Sequence, residues 1–93
     1  MINVLEVNVD DLCSGGVFSL VKNVIKNKDS SLHIDIAAIE EFEKKENVET
    51  LSNYGCKVYY IGYKENKIKK QIVAYKNLKK LVKERKYDCV HIH

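Results

Sequence analysis

Residues 32–39 read Leu-His-Ile-Asp-Ile-Ala-Ala-Ile and are apolar at all but two positions. A strand with one solvated face alternates apolar and polar residues, whereas a nearly continuous apolar run is typical of a parallel strand buried on both faces. The stretch therefore predicts an inner strand of a parallel sheet. Because such a sheet needs helices on both faces, it also predicts an α/β protein.

Strand and helix patterns alternate on either side of this stretch. β-branched and aromatic residues predict further strands at residues 2–9, 57–63 and 87–93. Helical spacing of apolar residues predicts a helix from Val17 to the polar residues 27–31, a weaker one over residues 40–54 and a third over residues 67–85. Gly55 follows the second helix, where a left-handed residue is expected. The predicted apolar faces are Val17, Leu20, Val21, Val24 and Ile25 in the first helix, and Ile68, Ile72, Tyr75, Leu78 and Val82 in the third.

Right-handed crossovers between these elements give the strand order three-two-one-four. The expected architecture is thus a Rossmann-like parallel sheet of four strands with helices on both faces, in one domain over residues 1–93. The last predicted strand has no helix after it, so we expect the chain to be the front of a longer domain.

Composition sets the class of protein and its expected location. The 93 residues are 45% hydrophobic and 31% charged, which fits a soluble globular domain and excludes intrinsic disorder. The sequence has no apolar run of the roughly 18–20 residues that span a bilayer, and its start lacks the features of a signal peptide. Three widely spaced cysteines, an odd number, indicate a reducing compartment. We therefore expect a cytoplasmic protein.

Charge is distributed unevenly along the chain. Residues 64–93 hold ten Lys or Arg and three Asp or Glu. Residues 1–63 hold six Lys and ten Asp or Glu. An excess of this kind is found on a helix with a solvated lysine face, and on surfaces that meet nucleic acid or an anionic membrane. A solvated lysine face and peripheral contact with the inner face of an anionic membrane both stay open as interpretations, and we expect no nucleic acid partner.

The loop after the first strand contains Gly15 and Gly16, followed by a helix. It matches neither the G-x-G-x-x-G dinucleotide fingerprint nor a Walker loop. Two interpretations stay open, a structural turn and a loop that presents backbone N–H groups and a helix N-terminus to a phosphate.

Cys89, His91 and His93 share one face of the last predicted strand. Residues two apart on a strand lie roughly 6–7 Å from one another, too far for one tetrahedral ion without a ligand from elsewhere. We therefore predict that Cys89, His91 and His93 form no metal site and are residues of the core or of the strand end. His93, at the carboxyl tip, lies where a substrate-facing side chain is expected.

These segments, taken in order, resemble a known family. The start Ile-Asn-Val-Leu at residues 2–5, Ser-Gly-Gly-Val at residues 14–17, the helix-Gly-strand pattern of residues 51–61 and the Asp-x-Val-His-x-His strand at residues 88–93 are similar to the N-terminal domain of glycosyltransferases with the GT-B fold. The nearest likeness is to the retaining, family-four-type enzymes of capsular and exopolysaccharide synthesis. It covers this whole chain and only the front of such an enzyme.

The resemblance implies an acceptor-side fragment of a hexosyltransferase, which moves a sugar from a nucleotide diphosphate sugar to a saccharide or lipid-linked acceptor. Gly15 and Gly16 would face the donor diphosphate and the acceptor pocket, and His93 would bind substrate. A glutamate is common two residues after the second glycine in that family, and this sequence has Phe18 there. The family's donor-binding residues belong to a second domain, so the resemblance implies no catalytic residue in this chain, no activity of the chain alone, no cofactor and no metal.

Two other classes share this pattern of elements. Asp10 and Asp11 after the first strand suggest a flavodoxin-like signalling module, but a phosphoacceptor Asp is missing at the end of the third strand, which reads Gly62-Tyr63. A nucleotide-binding oxidoreductase half is disfavoured by the absence of G-x-G-x-x-G.

Overall fold

Strands and helices alternate along the chain in the computed structural model, which describes residues 1–9, 17–39, 42, 44–62 and 67–93, with the backbone alone at 17, 67, 68 and 70. The elements are β1 (Ile2–Val7), α1 (Val17–Asn27), β2 (Leu32–Ala38), α2 (Lys45–Asn53), β3 (Val58–Tyr60), α3 (Lys67–Arg85) and β4 (Cys89–Ile92).

All four strands form one parallel sheet in the order β3-β2-β1-β4, which confirms the predicted topology. Ile2 to Val7 of β1 lie opposite Leu32 to Ala37 of β2, and Val4 to Val7 lie opposite Cys89 to Ile92 of β4. The third and fourth strands, Val58–Tyr60 and Cys89–Ile92, are shorter than predicted, although backbone hydrogen bonds to the neighbouring strand continue beyond them, as from the N–H of Ile61 to Ala38 O and from the N–H of His93 to Val7 O.

Helices pack on both faces of the sheet, as predicted, although all four residues of β4 are exposed. One face packs against α1 and α2, and the other packs against α3. Residues 32–39 supply both cores, since Ile34 and Ile36 face α1 and α2 whereas Ala37 faces α3. The first core includes Phe18, Val21, Ile25, Ile34, Ile36 and Leu51, and the second includes Leu5, Val7, Ala37, Ile61 and Ala74.

The helices bury narrower apolar stripes than the sequence predicted. In α1, Phe18, Val21 and Ile25 are buried, but Leu20 and Val24 remain 63% and 45% exposed. They project to the side of the i, i+3, i+7 row that meets the sheet. Likewise Ile72 and Tyr75 of α3 are exposed, while Ala74 is buried and Leu78 and Val82 are half-buried.

Gly55 has the left-handed conformation expected of it, with φ at +80°. Its N–H donates to Ser52 O, and the N–H of Cys56 donates to Leu51 O. These two bonds are those of a Schellman motif, which ends α2 and turns the chain into β3.

We predict that Gly55→Ala destabilises the chain by about 1 kcal/mol, because a left-handed conformation costs an alanine roughly 1–2 kcal/mol and the lost freedom of the unfolded glycine offsets part of that cost. A Cβ at this position would have no neighbour within 4 Å, so sterics add nothing. Gly55→Asn is the control and should lose less, since Asn tolerates this region. Urea unfolding followed by circular dichroism measures both, and an alanine variant as stable as the parent would contradict the prediction.

Candidate functional site

The strand order reverses between β1 and β4. The chain passes from β1 to β2 to β3 in one direction, then crosses back over the sheet so that β4 lies on the other side of β1. In open α/β sheets, ligands bind at the carboxyl ends of the strands beside such a reversal. A ligand site is therefore expected at the carboxyl ends of β1 and β4.

A carboxylate and two imidazoles meet there. Glu6 of β1 lies directly opposite His91 of β4, and His93 follows two residues later on the same face. Glu6 Oε2 is 2.6 Å from His93 Nε2 and 3.1 Å from His91 Nδ1. The two imidazole rings are 4.3 Å apart between centroids. We call Glu6, His91 and His93 the edge cluster.

The edge cluster is partly sheltered from solvent. The side chains of Glu6 and His93 are 14% and 17% exposed, and that of His91 is 60% exposed. Leu5 and Val7 on either side of Glu6 face the α3 core, so the alternation of the strand directs Glu6 to the opposite face. The carboxylate can hold both imidazoles in place, and all three groups can ligate a metal ion or bond a hydroxyl.

Asn8 fixes the backbone around the edge cluster. It adopts a left-handed φ of 65°, which Asn tolerates better than most residues. Its side-chain amide donates to His93 O at 3.3 Å, and the N–H of His93 donates to Val7 O at 3.1 Å. These bonds continue the pairing of β1 with the chain beyond the last residue of β4.

Of the residues predicted to bind substrate, His93 lies at the carboxyl end of β4 in this cluster. Gly15 and Gly16 lie outside the described residues, as do Asp10 and Asp11. Cys89 is exposed at the start of β4 and is not a member of the cluster.

Glu6, His91 and Asn8 were not predicted as members of a site. The signal in the sequence was Glu6, a charged residue inside a strand whose other residues are uncharged. A metal ion at His91 and His93 would need a ligand from another element, and Glu6 is in position to be that ligand. Sequence spacing does not show which residues of β1 and β4 face each other, so this contact could not be predicted.

A more deeply buried carboxylate, Asp35 of β2, lies beside Leu5 on the face of the sheet that packs against α3. Asp35 is 4% exposed and accepts from the N–H of Lys57 at 3.0 Å and from the hydroxyl of Tyr87 at 2.7 Å. His33 Nε2 lies 2.9 Å from Asp35 Oδ1, the oxygen that accepts from Lys57, and Tyr87 bonds to the other oxygen. Asp35 thereby connects β2 to the residues that precede β3 and β4. Both of its carboxylate oxygens have hydrogen-bond partners within the chain, so we assign it a structural role.

Two groups near Asp35 have raised pKa values. Burial, with a smaller contribution from the Asp35 carboxylate, raises the pKa of the Cys56 thiol to about 12. Burial and the hydrogen bond to Asp35 also raise the pKa of Tyr87. Cys56 and Cys89 are both free thiols.

Comparison with known protein families, with curated proteins and with solved structures finds no match for this chain. Within the described ranges, no helix is both long and apolar enough to cross a membrane. The argument for function therefore depends on the fold and on the geometry of the edge cluster.

We predict that the chain loses stability at alkaline pH. The Cys56 pKa is raised from 9.0 to about 12, so the unfolded chain releases this proton first and the free energy of unfolding falls as pH rises through that window. Each such group contributes a slope of up to about 1.4 kcal/mol per pH unit. Tyr87 acts in the same sense above its ordinary value of 10.0.

Urea unfolding between pH 8 and pH 11 measures this dependence. Cys56→Ala and Tyr87→Phe should each flatten it, whereas Cys89→Ala, at an exposed position, should leave it unchanged. A slope that is equal in all four proteins would contradict the prediction.

Proposed function

We propose that this chain is the N-terminal, acceptor-side part of a glycosyltransferase that moves a sugar from a nucleotide diphosphate sugar to a hydroxyl of a saccharide or lipid-linked acceptor. The observation that supports it is the position of His93, held by Glu6 beside the strand-order reversal of a 3-2-1-4 sheet. The motif that carried the family resemblance ends in this histidine.

The edge cluster offers chemistry suited to binding an acceptor. With Nε2 of His93 donating to Glu6 Oε2, the imidazole presents Nδ1 as an acceptor for a sugar hydroxyl. Glu6 is paired with both imidazoles and fixes their orientation. His93 is thus a substrate-binding group in this proposal, and we assign no catalytic residue in this chain.

The remaining work of transfer belongs to positioning and to stabilisation of the departing diphosphate. In the proposed enzyme, the loop with Gly15 and Gly16 faces that diphosphate. The donor-binding residues belong to another domain in the family that the chain resembles, so the chain alone transfers no sugar. Neither a cofactor nor a metal takes part in the proposed transfer.

The alternative of a flavodoxin-like signalling module is disfavoured by two observations. A flavodoxin-like sheet places β3 beside β1, but here β3 pairs with β2. At the end of β3, a Cβ on Gly62 would lie 2.4 Å from Ile39 O, so a phosphoacceptor side chain has no space there. A nucleotide-binding module with the order 3-2-1-4 is compatible with this sheet, and nucleotide titration separates it from the proposal.

We further propose that the parent enzyme is cytoplasmic and meets the inner face of the membrane through α3. Ile72 and Tyr75, which the sequence analysis assigned to the sheet, are 53% and 67% exposed on this helix. Apolar side chains among lysines suit a helix that lies at a membrane surface. Among the side chains of α3 that the structure describes, the exposed cationic ones are Lys69, Lys76, Lys79, Lys80, Lys83 and Arg85.

We predict that the chain transfers no sugar and binds nucleotide sugars more weakly than about 1 mM, a free energy of about −4 kcal/mol. Oligosaccharides at millimolar concentration should instead shift the amide resonances of Asn8, Val9 and residues 91–93. The measurement is a nuclear magnetic resonance titration with UDP-glucose, GDP-mannose, NAD and a panel of oligosaccharides.

His93→Gln should abolish the saccharide shifts, and His33→Gln, which changes a histidine near the other end of the sheet, should preserve them. Micromolar binding of a nucleotide sugar would place the donor site in this chain and contradict the proposal. Tight binding of NAD would favour the nucleotide-binding alternative.

We predict that the chain co-sediments with anionic vesicles at low salt and is released at high salt, because exposed charges are screened beyond roughly 8–10 Å at physiological ionic strength. Each cation near the surface contributes about 1 kcal/mol. The double variant Lys76→Gln, Lys83→Gln should therefore bind about 30-fold more weakly. Its control is Lys22→Gln, Lys26→Gln, which removes the same charge from α1. Equal binding to neutral and anionic vesicles, or none to either, would contradict the prediction.

A further inference from the structure

We propose that the edge cluster is a zinc site, with Glu6, His91 and His93 as the protein ligands. Each side chain offers one ligand atom, and these three atoms all lie within 4.8 Å of one another. The proposal does not depend on sugar transfer, since it concerns only what these three residues bind. With an ion in place, His93 Nε2 would be a metal ligand and would no longer donate to Glu6, so the metal and the acceptor are alternative occupants of the edge cluster.

The distances are close to those that zinc requires. Tetrahedral Zn²⁺ with bonds of about 2.0–2.1 Å places its ligand atoms roughly 3.3 Å apart. Glu6 Oε2 is 2.6 Å from His93 Nε2 and 3.1 Å from His91 Nδ1. These two distances need to change by less than 1 Å to admit the ion, and the two imidazole nitrogens, which lie within 4.8 Å of each other, can approach by side-chain rotation.

The donor set selects among metals. Two imidazoles and one carboxylate form a known set for Zn²⁺, with the fourth position open to water or to a ligand. Mg²⁺ and Ca²⁺ prefer oxygen ligands and gain little from imidazoles. The site should therefore take Zn²⁺ in preference to Mg²⁺.

The surroundings hold the ligands in place. Glu6 lies between Leu5 and Val7, which are 0% and 2% exposed, in the sheet's central part. A carboxylate so sheltered requires partners, and the strand register supplies the imidazoles. His91 is 60% exposed and leaves the cluster open to solvent on one side, by which an ion can enter.

The experiment is calorimetric titration of the 93-residue chain with ZnCl₂ under reducing conditions. We expect a dissociation constant of about 10 µM or tighter at a stoichiometry of one, and no competition from millimolar Mg²⁺. Co²⁺ in place of Zn²⁺ should give the strong visible absorption of a tetrahedral complex.

Glu6→Gln, His91→Gln and His93→Gln should each weaken binding by about 100-fold or more, since changes to groups behind the ligands already cost 10–100-fold. His91 is the most exposed of the three, so its variant tests the site with the least risk to folding, which circular dichroism verifies.

Three controls separate this site from other donors. His33→Gln and Cys89→Ser should bind Zn²⁺ as the parent does, because neither residue is a member of the cluster. A chain extended by Gly-Ser after His93 should also bind equally, which excludes a contribution from the terminal carboxylate. Binding weaker than about 1 mM, loss of binding in any of these controls, or unchanged binding in His91→Gln would overturn the proposal.

Discussion

The structure depends on the position of β1, which pairs with β2 along one side and with β4 along the other. A strand in that position is enclosed on both faces and both sides. Leu5 and Val7 are consequently among the most buried side chains of the α3 core. Glu6 alternates with Leu5 and Val7 along β1 and therefore lies on the other face of the sheet. Its neighbour in β4 is His91, from the far end of the chain.

Contacts at the amino ends of β1 and β4 determine the register in which the two strands pair, and that register places the side chains of the edge cluster at the carboxyl ends. The N–H of Asp88 donates to Asn3 O, and the Asp88 carboxylate accepts from the N–H of Asn3 at 2.7 Å. These two bonds fix which residues lie opposite one another before β4 begins. A shift of two residues would keep each side chain on its face but would place Cys89 or His93 opposite Glu6 in place of His91. The geometry of the edge cluster is therefore a consequence of the contact between Asn3 and Asp88.

The sequence was sufficient for the strand order and for the covering of both faces, because these follow from alternating hydrophobic periods and from the handedness of crossovers. It was also sufficient for Gly55, since a left-handed turn has a local chemical signature. It was not sufficient for the edge cluster, because Glu6 and His91 are 85 residues apart and only the register of β1 against β4 joins them. The exposure of Leu20 and Val24 was missed for a related reason, since periodicity defines an apolar stripe but not how much of it the sheet can cover.

The two sheltered carboxylates of the inner strands lie one residue apart in register, on opposite faces of the sheet, and they differ in their partners. Asp35 accepts from a backbone N–H and from a tyrosine hydroxyl, donors that stay in place while the chain is folded. Glu6 is paired with two imidazoles, which can also ligate metals or bond hydroxyls. To displace Lys57 or Tyr87 from Asp35 would leave a buried charge without its hydrogen bonds and loosen the sheet, whereas the third partner, His33, is half-buried and its Gln replacement can still donate a hydrogen bond. Glu6 and its two imidazoles lie at the solvent-facing carboxyl edge of the sheet. A ligand that displaced an imidazole there could itself bond to the Glu6 carboxylate. Of the two carboxylates, Glu6 is therefore the one that can take part in binding while the fold stays intact.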